Sequence, residues 1–327
     1  MTRDFPQRHW YRLSPLSVAL APLAALMLGV VSARRFAYRH GLAKTVRLPV
    51  PVVVVGNRIV GGAGKTPLVL WLARELRARG FSPGIVARGY GARATEPRPV
   101  IAGGDPARFG DEPVLLAERS GVPVWVGVDR AATARTLLAA HPECRVVISD
   151  DGLQHYRLGR DFEICVEDAR GHGNGLLLPA GPLREPVSRP VDATVVNGAA
   201  ARSGDYAMRL VPVGLYLLHD AARSIDPAAL RGQRLHAVAA IGHPERFFAT
   251  LRELGLDAVP HAFPDHHAYA AGELGFADCD CILATEKDAV KLRALARTDI
   301  VVVRVEAEVD PRLAERVVEK LRGFQAP

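Results

Sequence analysis

Three features of this 327-residue chain predict an α/β fold built on a mostly parallel, doubly wound sheet. Short β-branched runs alternate with amphipathic stretches along most of the sequence. The first run, Val52–Val55, feeds a glycine cluster that opens a helix. A later run, Val146–Ile148, is followed by two adjacent carboxylates, Asp150 and Asp151. An uncharged segment near the N-terminus stands outside this pattern and reads as a membrane-associated helix.

Val52–Val55 is apolar on both faces, as a strand buried in a parallel sheet requires. "GGAGKT" follows, and Pro67 falls close to the start of the next helix, where Pro is tolerated. Leu68, Leu70, Leu72 and Leu76 carry that helix to Gly80. Glycines let backbone amides wrap phosphate oxygens, and a helix N-terminus adds a favourable dipole. Lys65 is expected to reach the outer phosphates of a nucleotide, and the Thr66 hydroxyl to bind Mg2+. The loop departs from the strict G-x-x-x-x-G-K-[ST] pattern, because Ile59 stands where its first Gly belongs. Gly61, Gly62, Ala63, Gly64, Lys65 and Thr66 come nearer to a variant whose glycine pair precedes x-G-K-T. The extra lysine of that variant is Val60 here. Strand before, helix after and Lys-Thr in register together predict a P-loop NTPase-type core.

"CRVVISDDGLQH" supplies the second half of such a site. One of Asp150 and Asp151 should hold Mg2+, directly or through water; either suits the ion. Asp-Gly also favours a turn, which accounts for one aspartate better than for two. Further strands are expected at about Gly84–Ala87, near Val122–Val128 before a helix through Leu138, and in "DFEICVED" and "DATVVN".

Composition narrows the function. The length suits two modest domains, and no internal repeat is seen. The net charge is +7, carried almost wholly by Arg, since only five residues are Lys. The charge reads either as a compositional bias toward Arg or as attraction to anionic lipid, nucleotide or nucleic acid. No aromatic-interleaved basic patch or zinc-finger spacing points to nucleic acid. Of the four cysteines only Cys279 and Cys281 are close, and C-D-C is neither a zinc-ribbon nor a redox spacing. All four read as reduced thiols of a cytosolic compartment.

Leu13–Ala33 holds 21 residues without a charge, about the length a bilayer span needs. Arg3, Arg8 and Arg12 precede it; Arg34, Arg35, Arg39, Lys44 and Arg47 follow. A signal peptide fits the positive start, but export would carry a phosphate loop away from nucleotide. A full span places the body in the cytoplasm by the heavier positive cluster after it, yet takes three arginines across. A helix lying in the inner leaflet avoids that cost, and Pro22, Gly29 and the alanine content suit it. Residues 1–45 are therefore expected to attach the chain to the cytoplasmic face of a membrane.

Residues 46–204 form the expected nucleotide-binding core, and residues 205–327 a linker strand and a smaller α/β domain. In the latter, "LHAVAAIGHPERFFATLRELGL" and "CILATEKDAVKL" each read strand, turn, helix. "DIVVVRVEAEV" reads as a strand and "PRLAERVVEKLRGF" as a final helix. "TEKD" invites a guanine-recognition reading, but Lys287 and Asp288 are adjacent where N-K-x-D spaces them. ATP is thus expected over GTP. Asp111 in "FGDEP" reads alone as a helix N-cap or as a base. His266 in "FPDHH" reads alone as a surface histidine, and Arg184 in "PLREP" as a loop arginine.

Taken together, "GNRIVGGAGKTP", "ARGYG", "FGDEP", "SDDGLQH", "LLPAGPLREP", "IGHPERFF", "FPDHH" and "TEKDAVK" resemble the tetraacyldisaccharide 4'-kinase family, the lipid A 4'-kinase LpxK. The resemblance runs in order over nearly the whole chain. It implies a membrane-associated kinase that moves the γ-phosphate of ATP, with Mg2+, to the 4'-hydroxyl of an acylated glucosamine disaccharide 1-phosphate. The product is lipid IVA. It places the enzyme at the cytoplasmic face of the Gram-negative inner membrane, with no nucleic acid and no obligate protein partner. By the same resemblance the phosphate loop falls on Gly61, Gly62, Gly64, Lys65 and Thr66. The metal-side carboxylates fall on Asp150 and Asp151, with Gln154 and His155 on the same loop. The catalytic base falls on Asp111. Its supporting histidine falls on His266, with His267 adjacent. Arg184 falls near the phosphates or the lipid. The rival expectation is a membrane-tethered P-loop ATPase or GTPase that hydrolyses nucleotide without a lipid acceptor; it has no need of an Asp111–His266 pair.

Overall fold

The structure is a computed structural model that describes residues 9–89, 96–295 and 297–326. Arg3, Arg8 and the end of "ARGYG" lie outside the described residues.

Helix α1 (Pro15–Arg39) comes first. Ser14 caps it, accepting from the Ser17 amide while the Ser17 side chain accepts from the Ser14 amide, and Pro15 takes the first helical position. The helix runs unbroken through Pro22 and Gly29, which the sequence marked as interruptions. At about 1.5 Å per residue it extends roughly 37 Å. Only Ser17, Ala24 and Val31 are buried, a narrow stripe at a spacing of seven residues. Ala24 and Val31 pack on Ile59, Leu177, Ala180 and Leu183. Val18, Leu23, Leu26, Leu28, Val30 and Phe36 face outward. Among the described residues α1 is the one helix long and apolar enough to cross a membrane.

The chain then alternates through β1 (Val52–Gly56), α2 (Lys65–Ala78), β2 (Pro83–Ala87), β3 (Arg98–Pro99), α3 (Pro106–Phe109), α4 (Asp111–Ser120) and β4 (Val124–Val126). It continues with α5 (Arg130–Ala140), β5 (Val146–Asp150), β6 (Phe162–Asp168) and β7 (Ala193–Asn197). Next come β8 (Tyr206–Leu217), β9 (Asp220–Ile225), β10 (Leu235–Ala239), α6 (Pro244–Glu253) and β11 (Ala258–Ala262). Last are β12 (Cys281–Thr285), α7 (Glu286–Leu292), β13 (Ile300–Val309) and α8 (Arg312–Arg322). The strand expected over Val122–Val128 is shorter, because Asp129 already caps α5 by accepting from the amides of Ala131 and Ala132.

All strands join one sheet, in the order β11-β10-β12-β13-β8-β7-β6-β1-β5-β2-β4-β3, with β9 beside β8. Pairing is parallel except at β8–β13, β8–β9 and β3–β4. The long strands β8 and β13 weld the two halves. β8 starts parallel to β7 and runs antiparallel to β13 from Met208 to Leu217. Side chains alternate between faces as strand geometry demands. Val53 and Val55 join the cluster under α2, while Val52 and Val54 join the opposite cluster with Ala134 and Leu137 of α5. Helix α8 returns to the first half, where Leu313, Val317 and Leu321 enter the cluster that holds Leu68, Leu72 and Leu76 of α2.

Candidate active site

The carboxyl ends of the strands flanking β1 gather the polar residues, as expected of an open α/β sheet. The glycine loop crosses from β1 to α2 there. Gly61 and Gly64 adopt φ of 96° and 97°, a region costly for any side chain. At Gly64 a Cβ would also lie 2.4 Å from Asn197 Nδ2. Side chains from three strand ends hold the loop by its carbonyls. Asn57 donates to Gly61 at 3.0 Å, Arg170 to Gly62 at 2.7 Å and Asn197 to Ala63 at 3.0 Å. Arg170 is itself fixed by Asp168 at 2.8 Å. The carbonyls being spoken for, an anion meets the loop amides and the first turn of α2. Pro67 lies in that first turn, where its missing N–H costs no helical bond.

Lys65 and Thr66 open α2. The Lys65 ammonium donates to Asn57 Oδ1 at 3.3 Å and stands 3.6 Å from Asp151 Oδ1. Arg184 grips Asp151 in a fork, with bonds of 3.1 and 2.9 Å, and donates to the Asn57 carbonyl. Gln154 reaches the same carbonyl at 3.2 Å. Asp150 ends β5 opposite Val55 of β1. The two neighbouring aspartates live in opposite environments. Burial, with the negative charge of Glu112, pushes the Asp150 carboxyl up to about 7. Burial works against Asp151 too, but Lys65 and Arg184 hold it well below the ordinary carboxylate range. Asp150 Oδ1 is buried with no hydrogen-bond partner, an arrangement that a cation would satisfy. Among the described residues no three His, Cys, Asp or Glu side chains form a cation cage. This donor set fits Mg2+, which takes one or two protein ligands together with phosphates and waters. Nearby, burial and the charges of Arg130 and Arg88 push His155 down to about 4.

A second cluster forms where the two halves meet. Asp111 is the first residue of α4, after Gly110, and is buried. It is therefore not the N-cap. His266 Nδ1 lies 2.9 Å from its Oδ2 and 3.1 Å from its Oδ1. The Glu112 amide donates to Oδ1 at 2.9 Å. His267 points elsewhere, to Glu273 at 2.9 Å, and stacks on Phe263. The structure thus joins Asp111 to His266 rather than to its neighbour. Burial opposes the Asp111 charge, yet the His266 bond and the Lys287 ammonium bring its carboxyl down to about 2. Burial likewise opposes the charged imidazole, and the Asp111 bond more than offsets it, so His266 is raised.

"TEKD" finds its place here. Asp288 is fully buried, accepts from the Ala240 amide at 3.2 Å and bonds Thr285 at 2.7 Å. The Ala240 carbonyl in turn accepts from the His266 amide at 3.3 Å. This buttress holds the His266 backbone at φ 62°. The halves also touch at their glycines: a Cβ on Gly242 would lie 2.5 Å from the Gly62 nitrogen. Arg246 from the "IGHPERFF" turn donates to the Asn197 carbonyl at 2.6 Å.

Several of these residues escaped the sequence reading. Asn57, Asp168 and Asn197 each end a strand or follow one, so the rule of strand carboxyl ends could have found them. Arg170 lies two residues beyond β6, where Asp168 fixes it, whereas Lys287 meets Asp265 and Glu112 across 22 and 175 residues of chain, which no local pattern shows.

Comparison with known proteins now bears on the identity of the site. The family model described as tetraacyldisaccharide-1-P 4'-kinase matches residues 16–322. A tetraacyldisaccharide 4'-kinase of Dechloromonas aromatica is 52% identical over 330 residues, covering 98% of each chain. One from Alkalilimnicola ehrlichii is 54% identical over 319 residues, covering 95% of each. Among solved structures, the "apo" form of LpxK from Aquifex aeolicus in complex with ATP superposes with a TM-score of 0.80 at 28% identity, covering 94% of this chain and 99% of that one. The fold, the strand-end site and a match over nearly the full length agree: the chain belongs to the tetraacyldisaccharide 4'-kinase family.

Proposed function

We infer that this chain transfers the γ-phosphate of ATP to the 4'-hydroxyl of a tetraacyldisaccharide 1-phosphate, forming lipid IVA in lipid A biosynthesis. Family membership supports the reaction, and the ATP complex of the Aquifex relative supports the donor. On geometry, one observation carries transfer over hydrolysis: a buried carboxylate from one half, bonded to a histidine from the other, where the halves close beside the phosphate loop.

Glycine-loop amides and Lys65 hold the phosphate chain. Lys65 now rests on Asn57 and Asp151 and exchanges those partners for phosphate oxygens. Arg184, anchored on Asp151, adds positive charge at the same end. Thr66 and Asp150 would hold Mg2+, with Asp151 behind them. When bound, that ion neutralises charge on the β- and γ-phosphate oxygens. Asp111 accepts the proton of the sugar hydroxyl as the oxygen–phosphorus bond forms. A carboxylate this acidic is a weak base, which suits a loose transition state where the proton leaves late. His266 spans both Asp111 oxygens and fixes the carboxylate's direction.

Helix α1 docks the enzyme on the cytoplasmic face of the membrane. Its outward leucines and valines enter the bilayer boundary, and Arg34, Arg35 and Arg39 meet anionic headgroups. The lipid acceptor then reaches the site without leaving the surface.

The test is mass spectrometry of lipid products from detergent-solubilised protein, Mg-ATP and acylated disaccharide 1-phosphate, with Asp111→Asn alongside. One phosphate gained at the 4' position, and absent with the variant, is the expected outcome. ATP consumed without phosphorylated lipid would replace this reading with a tethered NTPase.

A further inference from the structure

Lys287 stands on the first turn of α7, and nothing in the reaction above uses it. Its side chain is only 15% exposed. The ammonium lies 3.0 Å from Glu112 Oε1, 3.0 Å from Asp265 Oδ1 and 3.9 Å from Asp111 Oδ2. Asp111 and Glu112 open α4 in the first half, and Asp265 precedes His266 in the second. One cation therefore faces three carboxylates drawn from both halves. We propose that Lys287 is a positioning residue, a charged clasp that seats the Asp111 loop against the His266 loop and keeps Asp111 ionised to accept the proton. The proposal rests on Asp111 and His266 being the pair that activates the acceptor.

The charge balance carries the argument. From α4 come Asp111 and Glu112; from the intervening loop, Asp265 and His266; from α7, Lys287 and Lys291. Lys291 is already committed to Asp288 at 2.9 Å. His266 Nε2 stands 3.7 Å from Asp265 while Nδ1 holds Asp111. Remove Lys287 and three carboxylates crowd one imidazole. Like charges at such range raise one another's pKa and push apart. Breaking a buried pair strands its partner, which costs more than the pair was worth.

A merely mechanical role is served by other residues. Arg119 pairs with Glu286, and Arg293 pairs with Glu118. These bonds already tie α4 to the α7 region, on the side away from Asp111. Lys287 adds little to that tie and much to the field at Asp111. With a carboxylate near each of its three donors, the ammonium acts through Asp111 rather than on the substrate.

The experiment compares kcat and KM for ATP of the full chain for wild type, Lys287→Met, Lys287→Gln, Lys287→Arg, and Lys287→Met combined with Glu112→Gln. Lys287→Met should lower kcat about 10–100-fold, in line with a disturbed general base, and leave the KM for ATP within about twofold. Lys287→Arg should restore kcat. Removing the Glu112 charge in the Met background should recover part of the loss, because one of the crowded carboxylates is then neutral. Lys287→Gln keeps hydrogen bonding without charge, and decides the matter if the Met variant does not fold. An unchanged kcat in the Met or Gln variant, with Asp111→Asn inactive, overturns the proposal and leaves the Asp111 reading intact. A fully active Asp111→Asn overturns that reading instead.

Discussion

The glycine-loop side and the Asp111–His266 side of this site are built differently. On the loop side one continuous stretch, β1 to α2, makes the cradle, and three side chains hold it by its carbonyls. Its shape is a matter of backbone. On the Asp111–His266 side no stretch makes anything alone. Asp111 is useful only where His266 meets it, 155 residues away along the chain. Charge and the seating of two halves define that side. The two aspartates of β5 show the contrast in small. Asp151 is held low by fixed cations, whereas buried Asp150 is pushed up and has an oxygen without a partner. A rigid cradle binds; a seam between halves closes only when both are in place.

The comparison breaks first at Lys65. Lys65→Ala should abolish turnover, on the order of a 10³-fold loss or more, as removal of a transition-state charge partner does. Near-normal activity in a steady-state assay would show that the cradle is not the phosphate site. Next in size is Gly64→Ala. The new Cβ meets Asn197 Nδ2 at 2.4 Å in a backbone held at φ 97°, a strain of about 1–3 kcal/mol. Calorimetric ATP affinity should fall about 10–100-fold. Gly29→Ala in α1, with nothing within 4 Å, should leave it unchanged. Equal effects of the two would deny the cradle its rigidity.

The smallest effect sharpens the seam. His266 is raised above its usual 6.5 in the folded chain. A base raised on folding adds stability below its unfolded pKa and loses it as pH rises through the folded value. The gap in urea midpoint between wild type and His266→Gln should therefore be full below about pH 6 and narrow as pH climbs past the folded pKa. A gap independent of pH would mean that the imidazole packs there without sharing charge with Asp111.

The same division decided what could be read from the sequence. "VVVVGNRIVGGAGKT" encodes strand, turn and helix in adjacent residues, so β1, the loop and α2 were legible. So was β5 with its aspartates, because parallel strands are apolar throughout and end abruptly in polar residues. The welding of both halves into one sheet was not. It depends on the register of β8 with β13, a pairing that local patterns leave open. Asp111 and His266 stand out through the family motifs, since alone Asp111 reads as a cap or a base and His266 as a surface histidine. Lys287 falls in "TEKD", whose spacing departs from the motif of guanine recognition and gives it no other role. Its true neighbours, Glu112 and Asp265, are brought to it only by the closed fold.

The return of α8 has a consequence for synthesis. Leu72 and Leu76 of α2 are covered by Leu313, Val317 and Leu321, which leave the ribosome much later. Until then the helix behind the glycine loop shows water an oily flank. Contacts of such long range form slowly and leave apolar surface open to aggregation meanwhile. The core of the first half is thus the last part of the chain to close against water.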